Sequence, residues 1–211
     1  RPDYVLMWGW GVMNQVAIQE AANINFPMEN FIGNWWAGAE HDVTPAGAAA
    51  NGYKALNMNR INPDMPVFDE IRTHVHEAGN AAGDGSNVGS VLYTRGMYAA
   101  MLAAEAIRNA QEIHGVTAIT PAMMRDGMEA LAMTEDRMAE LGAPGIGPEF
   151  SVSCENHGGS GMGIVQQWNA GEGKWVALTD YIESDASVIE PLVEEDSMAF
   201  ASENGIDLRC Q

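Results

Sequence analysis

Two short apolar runs with a helical pattern between them open the chain. The first run covers residues 4–9 and the second extends from Phe31 to Trp36. Between them, apolar residues recur with helical spacing from Met13 to about Asn25. A strand, a helix and a second strand in this order predict a parallel strand pair joined by a right-handed crossover. The opening of the chain therefore predicts an α/β fold.

Tryptophans cluster where these two predicted strands end. They are Trp8, Trp10, Trp35 and Trp36. In open parallel sheets, ligands bind in the crevice outside the carboxyl ends of the strands. An indole ring offers apolar area and one N–H donor but no acid, base or nucleophile. This region therefore predicts a recognition surface rather than a reaction centre.

The rest of the chain alternates between strand and helix patterns. Strands are predicted at 52–58, 150–153, 163–168 and 174–178, and helices at 65–77, 90–114, 120–131, 134–142 and 191–203. Asp64 is the predicted cap of the helix that begins at Met65. Residues 79–89 contain four glycines and are predicted to form a loop. The layout is β-α-β-β, then a helical stretch, a β-rich return and a final helix.

Composition and charge limit the classes of partner. The length of 211 residues is enough for one large domain or two small ones, and 46% of the residues are hydrophobic, which is enough for a core. The chain carries 10 basic and 29 acidic residues, a formal net charge of −19. A field of this sign repels phosphate backbones, so no nucleic-acid partner is expected. No apolar run approaches the roughly 20 residues that a membrane-spanning helix needs.

The two cysteines leave more than one interpretation open. Cys154 and Cys210 are 56 positions apart and form no CxxC motif, which argues against a zinc or thioredoxin-like site. A disulfide between them would stabilise the chain by roughly 4 kcal/mol in the chain-entropy model. It would also indicate an oxidising compartment. Spacing alone does not decide whether the bond forms.

Five segments of the chain resemble one family in the order in which they occur. They are Tyr4–Glu20, Ile32–Gly47, Gly52–Leu56, Tyr93–Ile107 and Val152–Trp168. The family is that of the periplasmic solute-binding proteins of branched-chain-amino-acid-type ABC transporters, which have the type I periplasmic binding fold. The resemblance implies two lobes, each a parallel sheet flanked by helices. It also implies a disulfide between Cys154 and a C-terminal cysteine such as Cys210.

The same resemblance implies that the chain is the C-terminal half of such a protein. Members of the family are about twice as long, and the start at Arg1 corresponds to a point inside the second lobe. Residues 1–58 are expected to be the first part of lobe two, and residues 59–145 the helical part of lobe one. Residues 146–211 would return to lobe two and form the tail. The missing N-terminal half would complete the pocket.

The tryptophans match ligand-contacting positions of the family. Trp10 matches an aromatic residue that follows the first strand, and Trp35 or Trp36 stands where amino-acid binders carry a carboxylate. An indole cannot pair with an ammonium group as a carboxylate does, so this departure favours a flatter or more apolar ligand. Packing in the core or at a lobe interface is the alternative role of these rings.

A second pair of candidate ligand contacts lies at the start of the long helix. By the resemblance, Tyr93 and Arg95 border the cleft. Arg95 has apolar neighbours in sequence, and a guanidinium there can bind a ligand carboxylate. The alternative for Arg95 is a salt bridge to an acidic side chain. A further polar group, at 40–44, fits a place at the cleft rim or simple solvation better than a metal site.

The function implied is that of an extracytoplasmic solute receptor and not an enzyme. It would sit in the periplasm and deliver an amino acid, an amide or an aromatic carboxylate to an ABC permease, without metal or cofactor. One alternative is the ligand-sensing domain of a receptor, which shares the fold. Another is an α/β hydrolase, for which Ser160 and His157 are the nearest nucleophile and base, although no GxSxG elbow presents the serine.

Overall fold

The computed structural model describes residues 2–207 and residue 210. The strands are β1 Val5–Met7, β2 Phe31–Gly33, β3 Lys54–Asn57, β4 Ala132–Met133, β5 Phe150–Ser151, β6 Met162–Asn169, β7 Lys174–Ala177 and β8 Ile182–Glu183. The α-helices are α1 Val12–Asn23, α2 Glu40–Val43, α3 Pro66–Ile71, α4 Val91–His114, α5 Pro121–Glu129, α6 Glu135–Glu140 and α7 Ala186–Asn204. Short 3-10 helices cover Met28–Asn30, Trp35–Ala37 and Thr44–Ala50, and a π-helical turn covers Arg72–Glu77.

The main sheet has six strands, in the order β1-β2-β3-β6-β7 with β8 paired to β6. The first three strands are parallel, with Val5 opposite Phe31 and Ile32 opposite Lys54. Strand β6 runs antiparallel to both β3 and β7. Helix α1 is the crossover between β1 and β2, so the predicted parallel pair and the mixed α/β fold are confirmed. A second sheet consists of β4 and β5.

The chain divides into two compact units. The first comprises residues 1–98, 135–148 and 163–182, and the second comprises residues 99–134, 149–162 and 183–211. The large side chains of the first unit's core come from α1, the end of α2, the strands, the residue before β3 and the start of α4: Ile18, Phe31, Val43, Tyr53, Val91, Trp168 and Trp175. The lobe boundaries expected from the resemblance stay a prediction.

In the second unit, α5 packs closely on the C-terminal part of α4. A Cβ added at Gly127 would lie 2.1 Å from the carbonyl oxygen of Ala106, so only glycine fits at this crossing. Asn109 donates hydrogen bonds to the carbonyl oxygens of Gly127 and Ala130, at 3.4 and 3.0 Å. These bonds satisfy carbonyl groups at the end of α5, where the helix itself supplies no further N–H donors.

No helix within the described residues is long and apolar enough to cross a bilayer.

Two predicted helices have different boundaries in the structure. Asp64 does not cap the helix after it, because Met65 occupies the cap position and Pro66 begins the helix. That helix is α-helical only to Ile71 and continues as a π-helical turn. The last helix begins at Ala186, because the side chain of Asp185 accepts a hydrogen bond from Ser187 N and caps it. The prediction that it begins at residue 191 is therefore wrong.

Candidate functional site

Three indole rings meet at one edge of the main sheet. Because β1 and β2 are parallel neighbours, their carboxyl ends lie at the same edge. Trp10 follows β1, and Trp35 and Trp36 follow β2. The ring centroids of Trp10 and Trp36 are 6.4 Å apart, and those of Trp35 and Trp36 are 6.0 Å apart. We call these three residues the indole cluster.

Two members of the indole cluster lie outside the hydrophobic core. Trp10 is 68% exposed and Trp36 is 54% exposed, whereas Trp35 is half-buried. The core of the same unit instead contains Trp168 and Trp175, which are 4% and 6% exposed. Burial in the core therefore does not explain Trp10 and Trp36. Their faces are accessible for contact with another molecule.

A short 3-10 turn, and not the predicted strand, presents Trp35 and Trp36. Strand β2 ends at Gly33 because the side chain of Asn34 accepts a hydrogen bond from Trp36 N at 3.1 Å and bends the chain. Asn34 N also donates to the carbonyl oxygen of Met7 at 3.0 Å, which ties the turn to the end of β1. The turn is thus held by its own polar side chain and by the neighbouring strand.

Buried side chains fix the turn from below. Asn14, on α1, donates a hydrogen bond to the carbonyl oxygen of Trp36 at 2.8 Å. The hydroxyl of Tyr53 donates to the carbonyl oxygen of Ala37 at 2.7 Å. A Cβ at Gly33 would lie 2.1 Å from this hydroxyl, so glycine is required where strand and turn meet. The indole cluster is therefore attached to a rigid scaffold.

Arg95 joins the indole cluster from the first turns of α4. Its guanidinium carbon lies 4.5 Å from the centroid of the Trp35 ring, a cation–π contact. Its Nη2 donates hydrogen bonds to the carbonyl oxygen of Trp35, at 2.6 Å, and to Oδ1 of Asn57. Burial lowers the pKa of Arg95 to about 10, and Asp42 and Glu40 oppose this shift. Arg95 is therefore still charged at neutral pH.

A buried pair of amides orients the acceptor that holds Arg95. Asn57, at the end of β3, and Gln166, on β6, are each 1% exposed. Asn57 Nδ2 donates to Oε1 of Gln166 at 2.8 Å. Because the amide nitrogen of Asn57 faces Gln166, its oxygen faces Arg95. Sequence reasoning missed both residues, although a polar side chain at a buried position of a strand is a signal that could have identified them.

The acidic residues beside Arg95 are engaged by the backbone and by buried amides. Asp42 is 1% exposed, and its two oxygens accept hydrogen bonds from Asn14 Nδ2, at 3.1 Å, and from Ala39 N, at 2.9 Å. Both oxygens of Glu40 lie within 3.2 Å of Val91 N, at the start of α4. Burial raises the pKa of Glu40, and these backbone hydrogen bonds oppose the rise. Simple solvation is therefore the wrong interpretation for Asp42.

Tyr93 points away from this group. It lies two residues before Arg95 on α4, and positions two apart on a helix do not face each other. Its ring packs edge-to-face against Phe68, with centroids 6.3 Å apart. The structure thus brings together four of the five predicted ligand contacts, namely Trp10, Trp35, Trp36 and Arg95. No hydrogen bond or ring contact found among the described residues joins Tyr93 to them.

The second unit contains the two cysteines and the serine and histidine that the sequence singled out. Cys154 and Cys210 form a disulfide, with Cα atoms 5.6 Å apart. Ser160 Oγ accepts a hydrogen bond from Met162 N at 3.3 Å, and His157 Nε2 lies 3.4 Å from a carboxylate oxygen of Glu129. Across residues 2–207 and 210, no hydrogen bond joins Ser160 to His157. Nor does a group of three or more His, Cys, Asp and Glu side chains converge there on a common metal position.

Comparison with known proteins gives a consistent result. A family model described as periplasmic binding protein matches residues 1–173. A solved structure described as an ABC transporter permease from the Pseudomonas fluorescens group is 34% identical, with a TM-score of 0.90. The match covers 100% of this chain and 51% of that chain. No curated protein matches the chain in sequence.

More distant solved structures share the fold. A branched-chain amino acid ABC transporter protein from Thermus thermophilus, with bound valine, is 22% identical with a TM-score of 0.69. A solute-binding protein of an ABC transporter from Rhodopseudomonas palustris HaA2, in complex with p-hydroxybenzoic acid, is 12% identical with a TM-score of 0.58. Each match covers 89% of this chain and 48% of the other. The chain thus spans about half the length of the solved structures that it matches.

Proposed function

The chain belongs to the periplasmic binding protein family and has the type I fold, and on that premise we propose that it is part of an extracytoplasmic solute receptor. In this proposal the protein binds a small organic solute in the periplasm and delivers it to an ABC permease. The residues that bind the solute on this chain are Trp10, Trp35, Trp36 and Arg95, with Tyr93 at the margin. The protein does not transform the solute.

The observation that carries the proposal is the indole cluster with Arg95. Two exposed aromatic faces and one half-buried cation lie just beyond the carboxyl ends of adjacent parallel strands. Open α/β sheets bind their ligands at this edge. Apolar faces with a few fixed polar groups are the usual composition of a small-molecule site. A catalytic role would need a nucleophile and a base within reach of each other, and the indole cluster supplies neither.

The solute is an amino acid, an amide or an aromatic carboxylate. Two solved neighbours carry valine and p-hydroxybenzoic acid, which are an amino acid and an aromatic acid. The indole cluster and Arg95 suit a molecule of this size with one apolar part and one polar part. Selection among the three classes depends on the charges around Arg95.

The second wall of the site comes from another part of the full-length protein. The matched structures are about twice as long as this chain. We propose that the portion of the full-length protein that corresponds to their unmatched part forms the second wall. A solute stabilises a closed form only if it contacts that form better than the open one. Contacts to both walls would supply this difference, and the closed form would then bind the permease.

A thermal-shift screen of the full-length protein against amino acids, amides and aromatic acids tests the proposal. A solute at 100 times its Kd adds about 2.7 kcal/mol to the free energy of unfolding, which raises the Tm by several degrees. The rise is expected to shrink in Trp36→Ala and to persist in Phe200→Ala, a control that removes an exposed aromatic ring on α7. If no solute raises the Tm and an ester substrate is hydrolysed instead, the proposed function is wrong.

A further inference from the structure

From the charges and donors around the indole cluster, we infer that the solute is a flat monocarboxylate without an ammonium group, such as an aromatic acid. This inference rests on the proposed function and narrows its three solute classes to one. It depends on three features of the described residues: free donors for a carboxylate, nearby anions that are already engaged, and two tilted aromatic faces.

The donors are on Arg95. Both hydrogen bonds described for Arg95 leave from Nη2. Nε and Nη1, which carry three of the five N–H groups of a guanidinium, donate to no described residue. Neither atom is among the buried unpaired ones, so both can be reached from outside. A carboxylate offers only acceptors and therefore matches these donors.

The anions near the site are already engaged. Asp42 and Glu40 accept hydrogen bonds from Ala39 N and Val91 N, and Asp42 also accepts one from Asn14. Asp42 is 1% exposed and so is inaccessible to a solute, and the charge of the half-buried Glu40 is already opposed by that of Arg95. Burying an unpaired charge costs several kcal/mol. Arg95 adds to this cost, because it repels a second cation.

Asn14 Oδ1 is an unpaired acceptor close to the turn, but it does not replace an anion. The side chain of Asn14 is 0% exposed, since it lies beneath the turn that it supports. A neutral amide oxygen also compensates only a small part of a full positive charge. Amino-acid binding would therefore require an anion in addition to Asp42 and Glu40, which are already engaged.

The exposed rings favour a flat apolar part. The planes of Trp10 and Trp36 are inclined at 56° with their centroids 6.4 Å apart. Aromatic rings attract each other in offset or edge-to-face arrangements at centroid distances of about 4.5–7 Å. A flat ring can stack on one indole and present its edge to the other. A saturated ring of equal size covers similar area but has no such quadrupolar contact.

Matched pairs of solutes separate these features in isothermal titration calorimetry of the full-length protein. L-Phenylalanine differs from 3-phenylpropanoate only by its ammonium group, benzamide replaces the carboxylate of benzoate, and cyclohexanecarboxylate replaces its flat ring. We expect 3-phenylpropanoate to bind at least about tenfold more tightly than L-phenylalanine, a difference of about 1.4 kcal/mol. Benzoate is expected to exceed benzamide and cyclohexanecarboxylate by the same factor. Arg95→Met is expected to abolish the preference for benzoate over benzamide.

Arg72 supplies a matched control for this variant. It is a partly exposed arginine whose guanidinium pairs with Asp69 at 2.8 Å, and Arg72→Met is expected to retain the preference. If Arg95→Met does not fold, Arg95→Lys keeps the charge and loses the planar donor group, so the preference should fall without disappearing. A preference that is unchanged in both Arg95 variants overturns the inference.

The outcomes for the inference and for the proposed function can be distinguished. If L-phenylalanine or L-valine binds as tightly as 3-phenylpropanoate, the inference is wrong and the proposed function stands. The same conclusion follows if benzamide binds as tightly as benzoate. If none of these compounds binds, the proposed function loses its support and the inference falls with it.

Discussion

Arg95 stacks on the ring of Trp35, 4.5 Å from its centroid, and donates a hydrogen bond to the carbonyl oxygen of the same residue at 2.6 Å. The two residues are 60 positions apart in sequence. The first lies on helix α4, and the second on the turn that follows strand β2. This double contact connects the cation of the candidate site to its aromatic surface, and it limits the positions that both side chains can adopt.

The contact between Trp10 and Trp36 predicts coupled effects on solute binding. Replacing either ring with alanine is expected to weaken binding of an aromatic acid by about 1–2 kcal/mol, because a stacking face is lost. In a double-mutant cycle, the two substitutions should be non-additive by about 0.5–1.5 kcal/mol. Calorimetric titration of the four proteins measures this coupling. Strict additivity would mean that the two rings act on the solute independently.

The buried amide pair predicts a loss of stability on substitution of Gln166. Gln166→Leu removes the acceptor that Asn57 Nδ2 contacts at 2.8 Å and leaves this buried amide only its 3.4 Å bond to the carbonyl oxygen of Gly38, which costs about 1–3 kcal/mol. The free energy of unfolding is measured by urea denaturation. The control is Gln15→Leu, at a partly exposed site on α1 where the side chain has no hydrogen-bond partner among the described residues, and we expect a change within about 0.5 kcal/mol. Equal effects of the two substitutions would contradict a structural role for the pair.

The raised pKa of Glu40 predicts a specific pH dependence of stability. Because burial raises this pKa above its ordinary value of 4.5, the folded state binds the proton more tightly than the unfolded state. Stability from this group is therefore highest at low pH and decreases as pH rises from about 4.5 through the raised pKa. Glu40→Gln should flatten this part of the profile.

The matched measurement for Glu40 uses an exposed glutamate. Glu190, on α7, is exposed. We expect Glu190→Gln to leave unchanged the slope of the free energy of unfolding against pH, between about pH 4.5 and pH 7. The free energy of unfolding is determined at several pH values for all three proteins. A slope that Glu40→Gln does not reduce would assign the pH dependence to other groups.

The disulfide predicts that the second unit is sensitive to reduction. Loss of the disulfide removes a constraint on a loop of 56 positions. In the chain-entropy model this lowers the free energy of unfolding by roughly 4 kcal/mol. We expect the Tm to fall by roughly 10 °C in the presence of reductant. The double variant Cys154→Ser, Cys210→Ser should show the lower Tm with and without reductant. A Tm unaffected by both treatments would show that the bond contributes little to stability.

Much of the candidate site could be predicted from the sequence, because its members stand in unusual places. Trp10 and Trp36 follow short apolar runs, and Arg95 lies among apolar residues. The family model confirms the resemblance on which their assignment depended. The contribution of Tyr93 stays a prediction, since its ring contacts Phe68.

Local periodicity was sufficient to predict the strand–helix–strand opening, the long helix α4 and the α/β fold. The reason is that the spacing of apolar residues reports directly on which face of an element is buried. The ends of elements were harder to predict, because they depend on single side chains such as Asn34 and Asp185, which compete for backbone N–H groups.

Only the tertiary structure decided how the site is held together. Asn57 and Gln166 are 109 positions apart and meet because β6 adds to the sheet antiparallel to β3 in one register. A shift of one residue would turn every side chain of β6 to the other face. No pattern in either segment specifies that register. The chain's own sequence therefore identified the aromatic and cationic groups, and long-range strand pairing determined which buried partners orient them.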